Sequence, residues 1–221
     1  MKRKNILYIT LAILVLGVGA WYIVTDIQKQ KANQQSASEF EKLDENKSSD
    51  NRFATLQGEA YDEAYVANMI MHHEGAVQMA EQALAVSERQ EIRSLSNDII
   101  STQSDEIVKM RTWQNEWGYE QTASMGHGNH GGGSDSSTSS MESEMADMMS
   151  EMATATGDEF DRIFIEQMII HHQQAVDMSK FAETNAYRDE IKALAKDVIS
   201  AQEKEIASMK QWQLNWGFTQ Q

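Results

Sequence analysis

The sequence predicts an all-α protein: a four-helix bundle made of two repeated helical hairpins, preceded by a transmembrane helix. Three observations predict this. The 221 residues contain no proline, the residue that breaks helix interiors. Residues 61–118 align without a gap onto 160–217 at a constant offset of 99, with 24 identities in 58 positions. Within each copy, apolar residues recur at spacings of three and four, the helical period.

The chain opens with a basic Met1-Lys-Arg-Lys and then runs from Ile6 to Val24 with only Thr10 polar. At about 1.5 Å per residue this segment spans roughly 28 Å, close to a bilayer core. Lys2, Arg3 and Lys4 are expected to stay cytoplasmic. The sequence therefore predicts a single-pass cell-membrane protein whose C-terminal domain is extracytoplasmic, either periplasmic or extracellular. The alternative is a signal sequence cleaved at the small residues Val18 to Ala20, which would leave the protein secreted. The apolar run continues past that point to Val24, which favours a retained anchor over residues 1–31. A polar tether follows over 32–57.

The first hairpin is expected over 58–119. Its first helix runs from about Glu59 to Ala85, with a stripe of Asp62, Tyr65, Val66, Met69, His72, His73, Ala76, Met79 and Ala83. A break follows at "AVSERQ", where Ser87 and Gln90 have capping-box spacing. The second helix runs to about Trp117, and Gly118 sits where a C-terminal cap glycine belongs. A turn near residue 86 sets Met69 level with Gln103 and Asp62 level with Met110, with Glu106 about one turn beyond Met69. Residues 120–157 read as a flexible Gly/Ser/His/Met-rich linker, although its second half, "MESEMADMMSEM", could coil into a helix. The second hairpin occupies 158–221, with Thr156 and Glu159 as a capping box and Gly217 as the closing glycine. One hairpin cannot bury both of its stripes, but two together can. Residues 58–221 are therefore expected to form one pseudo-twofold domain with the linker looping out.

Composition narrows the chemistry. With no cysteine, disulfides and thiolate metal sites are excluded. Residues 1–31 hold five of the 19 basic residues and one of the 34 acidic ones, so the remainder carries a formal −19. Such a surface repels nucleic acid and attracts cations, although solubility alone is the commoner meaning of acidity. No nucleophile–base pair, phosphate loop or dinucleotide motif is visible, so no catalysis is expected.

The repeat twice sets adjacent histidines between methionines: "MIMHHEGAVQMA" from Met69 and "MIIHHQQAVDMS" from Met168. At 100° per residue, Met69, His72, His73 and Met79 all fall on the buried face, accompanied by Gln103, Glu106 and Met110 from the second helix. A buried polar group without a partner costs several kcal/mol. Hydrogen bonding of His to Glu, Gln or water is the bland explanation, and a methionine stripe alone means core packing. The doubling of the pair, with flanking methionines and a carboxylate each time, points instead to a metal. The candidate ligands are His72, His73, His171, His172, Met69, Met79, Met168 and Met178. Thioether with imidazole and no thiolate suits copper, Cu(I) above Cu(II). Zinc gains little from methionine, and calcium and magnesium want oxygen. Met125, His127, His130, Met141, Met145, Met148, Met149 and Met152 in the linker are loose ligands of the same two types, or alternatively a sticky amphipathic helix.

At these residues the chain resembles the exported bacterial family called domain of unknown function 305. The resemblance rests on the doubled "MIxHH", the Ala-Val-x-Met that follows it, and the closing Trp-x-x-x-Trp-Gly, and it covers about residues 58–218. It implies a ferritin-like fold of two similar hairpins, with His72, His73, His171 and His172 as the motif residues and Met69, Met79, Met168 and Met178 beside them. It also implies a link to copper binding and tolerance. One departure matters. Ferritin-like di-iron sites use Glu-x-x-His, and the residues three before these histidines are Met69, Ile70, Met168 and Ile169. The expectation is a membrane-anchored copper protein that sequesters the ion or hands it to a transporter or metallochaperone. The rivals are a ferritin-like metal-dependent oxidoreductase and a metal-free structural or adaptor bundle. Whether the two His pairs make one site or two stays open.

Overall fold

Two helices of the bundle are buried on nearly every side, and the rest of the fold follows from that. In the computed structural model, which describes residues 52–120 and 136–218, a short 3-10 turn at Arg52–Ala54 leads into α1 (Glu59–Val86) and α2 (Gln90–Trp117). Then come α3 (Ser136–Ala153), α4 (Gly157–Ser179), the single turn α5 (Ala182–Asn185) and α6 (Asp189–Trp216). Helix α1 buries 16 of its 28 residues, whereas α2 of equal length buries seven. A helix buried on most sides belongs at the centre and an amphipathic one outside. Accordingly α1 packs on α2, α4 packs on α6, and α1 and α4 pack on each other. These residues form one compact unit, Asn51–Phe218. The predicted membrane helix at Ile6–Val24 lies outside the described residues. No helix among the described residues is long and apolar enough to cross a membrane.

The apolar interior is two half-cores rather than one. The first joins Ala76, Met79 and Ala83 of α1 to Ile92, Leu95 and Ile99 of α2, Phe160, Phe164 and Met168 of α4, and Met209 of α6. The second joins Tyr61, Tyr65 and Met69 of α1 to Met110 of α2, Met178 of α4, and Ile191, Leu194 and Val198 of α6. The two exchange under the offset of 99, so the hairpins are related by a pseudo-twofold. Reciprocal clamps hold them together. The Arg89 guanidinium lies 4.3 Å over the Trp216 ring and that of Arg188 lies 4.3 Å over Trp117, contacts worth about 0.5–2 kcal/mol each.

Several local expectations need correction. The hairpin turn is centred near residue 88, because α1 continues to Val86 and Ser87 closes it. This shifts the hairpin register by about one helical turn. Asp62 therefore does not face Met110. It is fully buried and accepts the backbone N–H groups of Tyr187 and Arg188, both at 3.0 Å, at the start of α6. The residue that opens α2 is Arg89, so Ser87 and Gln90 form no capping box, and Thr156 precedes α4 without a side-chain cap. The glycine caps are where the sequence puts them. Gly118 and Gly217 are both left-handed at φ 73°, and the residue after each donates back to Gln114 or Gln213. The second copy also departs from the first: its first helix breaks at Lys180 and Phe181 before α5.

Where a looping linker is expected, α3 packs against α1 and α4. The reason is its own periodicity. Met145, Met148 and Met152, spaced three and four apart, are all buried and join the first half-core.

The repeat also carries a correlated pair. Tyr65 and Ser179 hydrogen-bond at 2.9 Å in the buried interior, and their counterparts at the same offset are Phe164 and Ala80. One half-core thus makes this contact with hydroxyls and the other without. Phe164→Tyr is expected to cost about 1–3 kcal/mol, since its hydroxyl would be buried without a partner. Adding Ala80→Ser should restore much of the loss, as a denaturant double-mutant cycle will read.

Candidate metal centre

Between the half-cores lies a polar layer built from the two His-His pairs. Consecutive residues of a helix diverge by about 100°, so each pair sends its rings in two directions. The rings within a pair are 6.3 Å apart. The second histidine of each pair turns toward the outer helix of its own hairpin. There His73 Nε2 meets Glu106 Oε2 at 2.7 Å, and His172 Nε2 meets Glu205 Oε2 at 2.6 Å. The first histidine of each pair turns toward the other hairpin. The His72 and His171 rings meet across α1 and α4 with centroids 3.6 Å apart and a tilt of 33°.

All four histidines are at most 1% exposed. Neither ring nitrogen of His72 or His171 has a hydrogen-bond partner, nor has Nδ1 of His73 or His172. Burial holds His72 and His171 well below the usual histidine pKa, and charge on the neighbouring histidines pushes the same way. The backbone of the facing histidine and, for His72, the Gln174 amide pull weakly in the other direction without completing a hydrogen bond. Both rings are therefore neutral, with lone pairs free to ligate. Gln103 and Gln202, three residues before the glutamates, are buried with their side-chain oxygens unpartnered.

These histidines give the metal-free protein a defined pH response. Their folded pKa lies below the unfolded value near 6.5, so below that pH the unfolded chain binds protons that the folded chain does not. Stability is fully present above about pH 6.5 and falls as pH drops beneath it. Urea midpoints from pH 8 to 5 should show this fall, and a His72→Ala/His171→Ala variant should show a flatter one.

The candidate methionines are all buried but divided between the half-cores: Met69 and Met178 in one, Met79 and Met168 in the other. Met69 is three residues before His72 and four before His73, within one helical turn of both. Glu106 and Glu205, the carboxylates that accompany the histidines in the sequence but are absent from the candidate ligand set, meet Nε2 of His73 and His172. Their signal was the repeat itself, since both copies carry the glutamate at the same offset. Among the described residues, no three or more His, Asp or Glu side chains converge to hold an ion. The chemistry on offer is therefore buried imidazole nitrogen with nearby sulfur. That donor set fits a soft cation of low coordination number.

No curated protein matches the chain. Solved structures do. "CopM in the Cu(I)-bound form" is 35% identical, covers 70% of this chain and 96% of its own, and superposes with a TM-score of 0.56. "CopM in the Cu(II)-bound form" is 36% identical, with coverage of 73% and 99% and a TM-score of 0.57. A DUF305 fragment from Deinococcus radiodurans is 26% identical, with coverage of 68% and 93% and a TM-score of 0.55. The model of the family described as "Domain of unknown function (DUF305)" matches residues 24–85 and 62–213, and the chain belongs to that family.

Proposed function

We propose that this protein binds copper, with Cu(I) as its preferred state, and sequesters it or passes it on outside the cytoplasm. The observation that carries this reading is the His72–His171 pair. Two buried neutral imidazoles face each other across the hairpin interface with no hydrogen-bond partner. Leaving buried nitrogens unsatisfied is costly, and a soft cation with low coordination demand offsets that cost. The copper-bound CopM structures support the choice of metal. His73 and His172, fixed by their glutamates, join as ligands through Nδ1 or support the pair from behind. Met69, Met79, Met168 and Met178 supply sulfur nearby. The segment Ile6–Val24 anchors the domain to the membrane in this reading, which puts it where a transporter or metallochaperone exchanges ions with it.

The scarcity of oxygen ligands favours storage or transfer over oxygen chemistry. Di-iron oxidation needs a carboxylate-rich cage, and the described residues contain none. A second reading has its own support. The His73–Glu106 and His172–Glu205 bonds are what a metal-free adaptor bundle would use to satisfy buried histidines.

Melting curves of the full-length chain, recorded under reductant with one and two equivalents of Cu(I) or Zn(II), separate the two. A ligand of the native state raises the melting temperature. Copper binding predicts a rise with Cu(I) that clearly exceeds the rise with Zn(II). The adaptor predicts no rise with either.

A further inference from the structure

Helix α3 is held in register rather than merely covering apolar surface. Gln174 Nε2 of α4 donates to Glu144 Oε2 of α3 at 2.8 Å, and Gln167 donates to Glu151. The two glutamates are seven residues apart and so are the two glutamines, in opposite order, so α3 runs antiparallel along α4 with two polar latches. On the same helix the stripe of Met145, Met148 and Met152 is buried and joins the first half-core.

At one end of that stripe the internal repeat breaks in an informative way. Gly75 of α1 corresponds to Gln174 of α4. Glycine inside a helix is costly relative to alanine, and Gly75 is buried in mid-helix. A Cβ there would overlap Met145 Cε. It would also lie 3.0 Å from Met145 Sδ and 3.4 Å from His171 Nε2. The missing side chain thus opens a notch that α3 fills with a thioether. Since sulfur and nitrogen both lie that close to one point, they are at most about 6.4 Å apart. That His171 nitrogen is buried and unpartnered, and the His72 ring sits against the same imidazole. The counterpart position, Gln174, carries the amide that latches Glu144. The two copies have therefore diverged at this position toward one end, the docking of α3.

We propose that Met145 is a third ligand of the centre, carried by α3 onto the His72–His171 pair. Two imidazoles and one thioether then hold a soft monovalent cation, and α3 is the lid that closes over it. The proposal rests on the copper reading above and adds to the four bundle histidines and methionines a sulfur carried by α3. It also gives the methionine-rich connection a purpose beyond packing, since a spacer needs neither a glycine notch nor matched latches.

Met145→Leu keeps the volume of the stripe and removes only the sulfur. In chelator competition with the full-length chain, this variant is expected to bind Cu(I) weaker by on the order of 10- to 100-fold, the range that loss of a supporting partner already costs. Zn(II) affinity and metal-free melting should change little. Gly75→Ala is the second variant, because its methyl group displaces Met145 while meeting His171 Nε2 only at 3.4 Å, close to ordinary contact distance. It should weaken Cu(I) binding similarly, and the double variant should be no worse than the poorer single one. Wild-type Cu(I) affinity in Met145→Leu, or in a folded Gly75→Ala, overturns the proposal while leaving the copper reading intact. A wild-type chain that leaves the chelator untouched overturns the copper reading itself.

Discussion

Replacing His72 and His171 together by alanine is expected to abolish tight Cu(I) uptake while leaving the metal-free fold nearly as stable as before. The two halves of that expectation come from one geometry. The pair contributes four buried nitrogens with no partner, so truncation removes desolvated polar atoms along with packing, and the two effects oppose each other. The same nitrogens are the most available ligands in the domain. Their loss should weaken binding by about 100-fold or more, equivalent to about 2.7 kcal/mol or more. The companion variant His73→Ala/His172→Ala should behave differently. It strands Glu106 and Glu205, which are 15% and 25% exposed, without their hydrogen-bond partners. It should lose about 1–3 kcal/mol of stability per site and retain part of its copper affinity. Chelator competition and urea unfolding on both variants check the contrast. Equal losses of affinity in the two would mean that the facing pair has no special role.

Phe164→Ala should cost about 3–5 kcal/mol of stability. Phe164 is fully buried and stacks on Phe160 with centroids 6.3 Å apart and planes within 9°. It sits in the half-core that α3 completes with Met145, Met148 and Met152. That half-core draws residues from α1, α2, α3, α4 and α6, which limits how far the cavity left by the ring can collapse. The melting temperature should fall by roughly 10 °C or more. Val108→Ala, at a position 64% exposed, should stay within about 0.5 kcal/mol. If Cu(I) binds the native state as proposed, adding it should recover part of the Phe164→Ala loss, because binding energy adds to folding energy wherever the site is intact.

Much of this architecture could be read from the chain because it was written twice. The offset of 99 identified the hairpins, and the closing Trp-Gly steps located their ends. The helical period predicted that four histidines would be buried. What could not be read depended on contacts across sequence distance. Nothing local marks Arg89 and Arg188 as clamps, since their aromatic partners, Trp216 and Trp117, lie on the opposite hairpins. The same holds for Asp62, whose buried carboxylate resembles a site residue and instead caps a helix of the other copy. The hairpin register was off by a turn because "AVSERQ" offers several places to stop, and the backbone stops at Val86. The docking of α3 was hidden by composition. A methionine-rich stretch beside a glycine-serine run looks mobile until Gly75, on a different helix, supplies the notch. That glycine is conspicuous only when the two copies are set side by side.

The most direct test of the central claim is X-ray absorption at the copper edge of the Cu(I)-loaded, full-length protein, with the His72→Ala/His171→Ala variant as comparison. A low-coordinate copper bound directly by imidazole nitrogen and thioether sulfur is expected, a signature that the variant loses. A shell of oxygen and nitrogen without sulfur, or a spectrum unchanged in the variant, would contradict that claim.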